Sequence, residues 1–484
     1  MDLLRQSTEL VLKISMKVVS KSKLWGRSRS LLGVILAGLL FAGCKGTPTQ
    51  SESAARRDVA AVADAYRPQG QRPPLPQLSA NSTLADFLRY AMLNQPQIEA
   101  AYFNWLSSVE RITQSRSLPD PRLTFETDIA NIVMTVMPGL MQELPGPGKL
   151  GLRAEVASAE SQAKYFGFET SVLQSAFALK QAYYQLHFLS DKVRVNREIL
   201  GLLADLEKIA RAQNEVGKVA LQDALRAQIE QDRLATEIAN LEDSRNPLRA
   251  QFKAALGLMA DQPDLPMPSR FESTPLDLTS DQLLAAAFAR NPRLKAMEAE
   301  VRQADAALRL AYKARVPDFD VGVEADAKAA PVMVRPQFAM TLPIRRDKIA
   351  ATIAEAQAGK RSAEARLSAE QIQLAVEFAD KSFMYREATR NLKLLTESLL
   401  PKARQALEVA RSGYSVSKVD FINLLDAERS LLEFELANVD ARTRRELVLA
   451  ELSLLIVGVP PTGAPVLTAT QPAPSAAAPP MKKK

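Results

Sequence analysis

The chain repeats itself. Thr83 to Pro96 (TLADFLRYAMLNQP) lines up with Thr279 to Pro292 (TSDQLLAAAFARNP), and five further landmarks follow in the same order. Pro119-Asp120 meets Pro317-Asp318, Leu144-Pro145 meets Leu342-Pro343, and Ala210-Arg211 meets Ala410-Arg411. Val216-Gly217-Lys218-Val219 then meets Val416-Ser417-Lys418-Val419, and Leu256-Gly257-Leu258 approximately meets Ile456-Val457-Gly458-Val459. The offset grows only from 196 residues at Thr83 to 200 at Val216. Length alone would suggest roughly two to four unrelated domains, but a sustained period overrides that prior, so the fold is one unit built twice. The repeats span 83–260 and 279–460, with 261–278 as a linker.

Each repeat reads in the same order. A first helix (about Leu84 to Ser117, and about Ser280 to Arg315) ends before a Pro-Asp step. Two strand candidates follow. Leu123, Phe125 and Thr127 alternate with polar residues in the first repeat, as Phe319, Val321, Val323 and Ala325 do in the second, with strand partners near 133–143 and 332–342. Alternation of this kind gives one apolar and one polar face. A long helical hairpin comes next. Ala182, Leu186, Leu189, Val193, Leu200 and Leu203, with Asn196, keep coiled-coil spacing, and Leu392, Leu395, Leu399, Ala406 and Val409, with Lys402, read the same way. Lys149 to Asn214 would extend about 90 Å as a helix, far more than a compact domain needs. Pro247 and Pro401 are expected to kink or interrupt their helices. The fold class is therefore mainly α with a small β part.

Composition narrows the function. Ala, Leu, Glu, Lys, Arg and Gln dominate from Arg153 onward and aromatics are 6%, which suits long helices. The net charge of +7 is interspersed with acids instead of clustered, so nucleic-acid binding is not expected. One cysteine and one histidine leave no Cys/His metal cluster and no Cys/His or Ser/His catalysis, and no nucleotide loop or paired catalytic groups stand at motif spacing. His187 reads as a helix-packing side chain, and the protein as no enzyme.

Residues 1–43 read as a signal peptide. Leu31 to Ala42 (LLGVILAGLLFA) is too short for a bilayer of ~30 Å but suits a signal core, after a basic stretch from Lys17 to Arg29. Met16 would start a conventional one. Leu40-Phe41-Ala42-Gly43-Cys44 resembles a bacterial lipobox, with Phe41 where the pattern usually has Leu; Cys44 would then carry covalent lipid, palmitate included. Residues 44–82 read as a tether from that lipid, with Lys45 compatible with outer-membrane sorting, and 461–484 as a disordered Pro/Ala-rich tail.

Two repeats supply four strands, whereas single-chain membrane barrels begin at about eight, so several chains would have to contribute. Here the chain resembles the TolC-like outer-membrane efflux channels, over nearly all of 84–460. The resemblance rests on the Asn-x-Pro and Asn-Pro steps, the Pro after each first helix, Gln142 to Arg153 (QELPGPGKLGLR), Val216-Gly217, and Gly413 to Arg429 (GYSVSKVDFINLLDAER). It implies a homotrimer with a shared twelve-stranded transmembrane barrel above a helical periplasmic tunnel, lipid-anchored in the outer membrane. It also implies a passive exit duct fed by a periplasmic adaptor and an inner-membrane pump of RND type. QELPGPGKLGLR and the lipobox look most similar to the copper/silver and cobalt-zinc-cadmium branches.

By the same resemblance, the tips at Val216, Gly217, Val416 and Ser417 would contact the adaptor. Ser417 stands where the family usually has glycine, and a looser or differently bonded turn is expected there. Asp426, Asn423 and Asp223 match positions near the periplasmic aperture, where a trimer turns one inward carboxylate into a ring of three; Asn423 departs from the family's acid. Met134, Met137, Met141, Met333 and Met340 lie in strand regions; thioethers bind Cu(I), but ordinary apolar roles are expected. No resident cofactor is expected. A type I protein-secretion duct and a lipid-anchored coiled-coil protein without a pore remain alternative functions.

Overall fold

The computed structural model describes residues 48–130, 133–263, 265–267, 271–272, 280–326 and 332–455. The expected signal peptide 1–43, Cys44, the expected tail 461–484 and much of the expected linker 261–278 lie outside the described residues. The described residues from Thr49 onward form one unit.

The first helix, α1 (Gln50–Tyr66), falls where a tether was expected. Thr49 caps it by accepting from the Glu52 amide, and Val62 and Tyr66 bury its apolar side against the next helices. Glu52, fully buried, accepts from Thr113 Oγ1 at 2.7 Å and pairs with Arg56 and Arg116, which fastens the segment down. The small, polar composition reads as linker because the partners of Glu52 lie on another helix.

Each expected first helix is in fact two. α2 (Leu84–Asn94) and α3 (Pro96–Arg116) divide at Pro96, while α7 (Ser280–Arg290) and α8 (Pro292–Tyr312) divide at Pro292. A proline lacks the donor that an interior position needs but fits the first position of a new helix. The two asparagines before the breaks have parallel work: Asn94 Nδ2 donates to Leu256 O at 2.9 Å and Asn291 Nδ2 to Leu455 O at 3.2 Å.

The strands β1 (Arg122–Ala130), β2 (Val133–Leu144), β3 (Phe319–Asp326) and β4 (Met333–Met340) form one antiparallel sheet in the order β1-β2-β3-β4. Both repeats therefore share a sheet. Register aligns Leu123, Leu140, Val323 and Pro336 on one face, and Thr124, Gly139, Glu324 and Arg335 on the other. The apolar face is the open one: Val321 and Val323 are 44% exposed and Phe338 69%, whereas Glu324 is 5%. A sheet in water arranges its faces the other way. Register puts Met137, Met141 and Met333 on the polar face and Met340 on the apolar one, and the Met134 side chain lies outside the described ones.

Between β2 and the next helix, Gly146 presses on the second repeat. A Cβ there would collide with Pro317 O, and the Gly146 amide donates to Asp318 Oδ1 at 2.6 Å. Lys149 Nζ reaches the same oxygen at 2.8 Å. The Gly-Pro-Gly-Lys segment and the Pro-Asp step of the other repeat thus form one junction.

α4 (Lys149–Glu215) runs 67 residues, close to 100 Å at ~1.5 Å per residue. It returns as α5 (Leu221–Asp243), which breaks at Ser244 so that Pro247 falls in the first turn of α6 (Arg245–Ala255). The second hairpin climbs through α9 (Arg346–Leu394), a π turn (Leu395–Leu399) and α10 (Leu400–Ser415), and returns as α11 (Phe421–Leu455).

The first seam is buried as expected at Ala182, Leu186, Leu189, Val193, Asn196 and Leu203, with Leu200 partly covered. The second departs from expectation: Lys402, Ala406 and Val409 are exposed, while Ala403, Leu407 and Ala410 face the core. Pro401 is the cause. Its ring conflicts with the carbonyl four residues back, and the helix relieves this by widening into a π turn that adds one residue and rotates the pattern by one position. His187 packs edge-on between Tyr183 and Phe271 at centroid distances of 4.7 and 5.7 Å.

Candidate functional site at the hairpin tips

The two hairpin turns are built alike. Lys218 N donates to Gln213 O and Gly217 N to Asn214 O; Lys418 N donates to Gly413 O and Ser417 N to Tyr414 O. This pair of bonds closes a helix when the residue after the cap is left-handed, and Gly217 (φ 71°) and Ser417 (φ 58°) both are. The looser second turn expected from Ser417 is not found. Serine in this region costs about 1–2 kcal/mol, but the turn is locked from elsewhere. The glycine of this tip is Gly413, where a Cβ would lie 2.5 Å from Val419 Cγ2. Val216 and Val416 project from the tips, 67% and 61% exposed.

The tips are tied together. Gln213 Nε2 donates to Tyr414 O and Ser415 O, each at 3.2 Å. The Tyr414 hydroxyl donates to Asp223 Oδ2 at 3.3 Å, while its ring, buried, packs edge-on against Phe421 at 5.4 Å. Burial, with the Asp223 carboxylate adding to it, pushes the Tyr414 hydroxyl up, so it remains a donor at neutral pH. The structure thus separates the three aperture candidates. Asn423 and Asp426 lie three residues apart, both exposed, on α11; Asp223 belongs to the link between hairpins.

Above the tips, Arg429 pairs with Glu230 of α5 and approaches Asp426 at 3.9 Å. Next to it Glu428 is 2% exposed, and its Oε1 has no hydrogen-bond partner among the described residues. Burial, with Glu230 adding and Arg429 opposing, pushes the Glu428 carboxyl up to about 7. Sequence reasoning passes over Tyr414, Gln213, Gly413 and Glu428. A signal for Glu428 exists: it interrupts the apolar spacing Leu424, Leu425, Leu431, Leu432 on the face that packs inward. Among the described residues no group of three or more His, Cys, Asp or Glu side chains can hold a metal ion, and no described helix is long and apolar enough to cross a membrane.

Comparison with known proteins agrees with this architecture. Residues 283–457, which run from α7 to just beyond α11, match the outer membrane efflux protein family. The cobalt-zinc-cadmium resistance protein CzcC of Cupriavidus metallidurans is 23% identical over 339 residues, 66% of this chain and 77% of that protein. The crystal structure of CusC superposes with a TM-score of 0.68 at 16% identity, over 80% of this chain and 95% of that one. That of the outer membrane protein VceC from Vibrio cholerae gives 0.65 at 16% identity, over 77% and 94%. Over residues 283–457 the chain thus matches the outer membrane efflux protein family, and its duplicated hairpins and shared four-stranded sheet have the fold of the solved channels it resembles.

Proposed function

We propose that three copies of this chain form the outer-membrane exit duct of a tripartite efflux system, passive in itself and supplied by a periplasmic adaptor and an inner-membrane pump. The observation that carries this is the inverted sheet. Its apolar face is open, its polar face is buried at Met137, Gly139 and Glu324, and among the described residues β1 and β4 each have a free edge. Open strand edges are not tolerated in lipid, and four strands fall short of the smallest membrane barrels, so edges must pair between chains. Three chains give twelve strands, and their hairpins continue the barrel as a helical tunnel.

In this reading Cys44 carries the lipid anchor, and the exposed tips around Val216, Gly217, Val416 and Ser417 meet the adaptor. Asp426, with Asn423 beside it, lines the aperture, where threefold repetition makes one carboxylate a ring. Metal cations are the proposed cargo, supported by the likeness to a cobalt-zinc-cadmium resistance protein.

The test is extraction from membranes in mild detergent. The expected product is a trimer that dissociates on heating and conducts ions in a planar bilayer. A monomer without conductance would overturn the duct. For cargo, deleting the gene should lower tolerance of cobalt, zinc or cadmium; loss of tolerance confined to organic drugs would refute the metal assignment.

A further inference from the structure

We infer that a cavity in the helical wall, between α4, α5 and α11, binds a small organic cation, an ammonium or amidinium group on an apolar body, with Glu428 as its counter-ion. The cavity measures about 720 Å³, within the range of small-molecule sites and far larger than one water or one metal ion requires. Leu203, Leu234, Leu432 and Leu436 supply apolar wall.

The charges around it select the sign of the ligand. Lys192 of α4 is engaged by Glu237 of α5 at 3.6 Å, and Arg429 by Glu230. Arg233 and Glu433 are exposed at the rim, and α10, which also packs on α11, contributes no lining residue. Glu428 differs from all of these, because it lines the cavity, is buried, and leaves Oε1 without a hydrogen bond. An anion would meet a majority of carboxylates. A neutral apolar guest would leave a buried carboxylate uncompensated, the costly arrangement. A cation on an apolar body answers both surfaces: its head pairs with Glu428, whose buried carboxyl turns toward the cavity to meet it, and its body displaces water from the leucines. The raised value of Glu428, about 7, is what an acid lacking such a partner should show.

The site lies within a single chain, so it stands or falls separately from the duct, which bilayer conductance reports. The experiment is calorimetric titration of the full-length protein in detergent with benzamidine, and with the isosteric neutral benzamide. Benzamidine stays charged from pH 6 to 8, so its affinity should rise about tenfold over that interval as Glu428 ionises, with proton release on binding near pH 7. Benzamide should bind at least tenfold more weakly and without pH dependence. Glu428→Gln should reduce benzamidine to the level of benzamide, and Leu432→Trp, which fills the cavity but keeps the carboxyl, should abolish binding of both. Equal binding of the two probes to the unaltered protein overturns the proposal without recourse to any variant, as does unchanged benzamidine binding in Glu428→Gln or Leu432→Trp.

Discussion

The Tyr414 hydroxyl, at the end of α10, donates to Asp223 Oδ2, at the start of α5, across 3.3 Å, and so joins the tips of two hairpins 191 residues apart in sequence. With the two bonds from Gln213, this ties the tips of one chain together. It also explains why Asp223 is not grouped with Asp426. Its carboxylate is occupied by the neighbouring hairpin, whereas Asp426 faces outward and only approaches Arg429.

Tyr414→Phe removes the hydroxyl and keeps the ring on Phe421. A partly exposed hydrogen bond to a charged group is worth about 1 kcal/mol, which changes an equilibrium about fivefold. Single-channel recording should show the open aperture occupied correspondingly more often. Unchanged opening would mean that the link has no part in closing the tip.

Glu428 sets a pH dependence of stability. Its ordinary value of 4.5 rises to about 7 in the folded chain, so the folded state holds the proton more tightly than the unfolded one. Stability therefore declines as pH rises from about 4.5 to about 7 and is level above that, by on the order of 3 kcal/mol in all. Glu428→Gln should unfold at the same temperature as the unaltered protein near pH 4.5 and at a higher one at pH 8. Parallel curves for the two proteins would show that Glu428 does not titrate in this window.

Much of this architecture is legible in the amino-acid sequence, and the parts that are not share a physical cause. The duplication yields two hairpins and four strands because spacing and alternation are local properties that survive in the sequence. The seam of α10 escapes periodicity, which assumes a constant helical pitch, because Pro401 forces a π turn that advances the pattern by one residue. α1 escapes it because its anchor, Glu52, is satisfied by Arg116 and Thr113, more than sixty residues away. At the tips, Gly217 and Ser417 mark both turns. That Ser417 keeps the same bonds as Gly217 is not readable from its identity, because a serine enters the left-handed region only where the flanking helices hold it there.

The second tip differs from the first in where its glycine stands, Gly413 for Gln213 and Ser417 for Gly217, and only at Gly413 would an added side chain meet a neighbour. Gly413→Ala puts a methyl group against Val419 and should destabilise the turn by about 1–3 kcal/mol, whereas Ser417→Gly removes left-handed strain and should be neutral or slightly stabilising. Limited proteolysis reads this directly. Cleavage near 413–419 should accelerate in Gly413→Ala and not in Ser417→Gly; the reverse order would contradict the geometry.

If Asp426 lines the aperture, three exposed carboxylates should attract multivalent cations into it. Asp426→Ala should then weaken block by a trivalent cation at least tenfold, and Asn423→Asp, which doubles the carboxylates on the same face, should strengthen it. The effect should shrink in high salt, as exposed charges are screened. Block that is identical in both variants would remove these residues from the aperture.

The sheet offers the sharpest test of the membrane reading, because its two faces predict opposite outcomes for one kind of substitution. Register puts Val321 and Phe338 side by side on the open apolar face, and Gly322 and Gln337 side by side on the polar one. A lipid-facing charge near the bilayer midplane costs about 2–4 kcal/mol per chain, and a trimer incurs it three times, whereas a charge toward a wet interior costs little. Phe338→Arg should accordingly abolish or greatly reduce the heat-sensitive trimer recovered from membranes, while Gln337→Arg, one residue away on the same strand, should assemble normally and alter conductance. In a water-soluble sheet whose open face met solvent, Phe338→Arg would be harmless or stabilising. Equal recovery of the two variants would thus turn the sheet's inverted faces from evidence for a barrel into evidence against one.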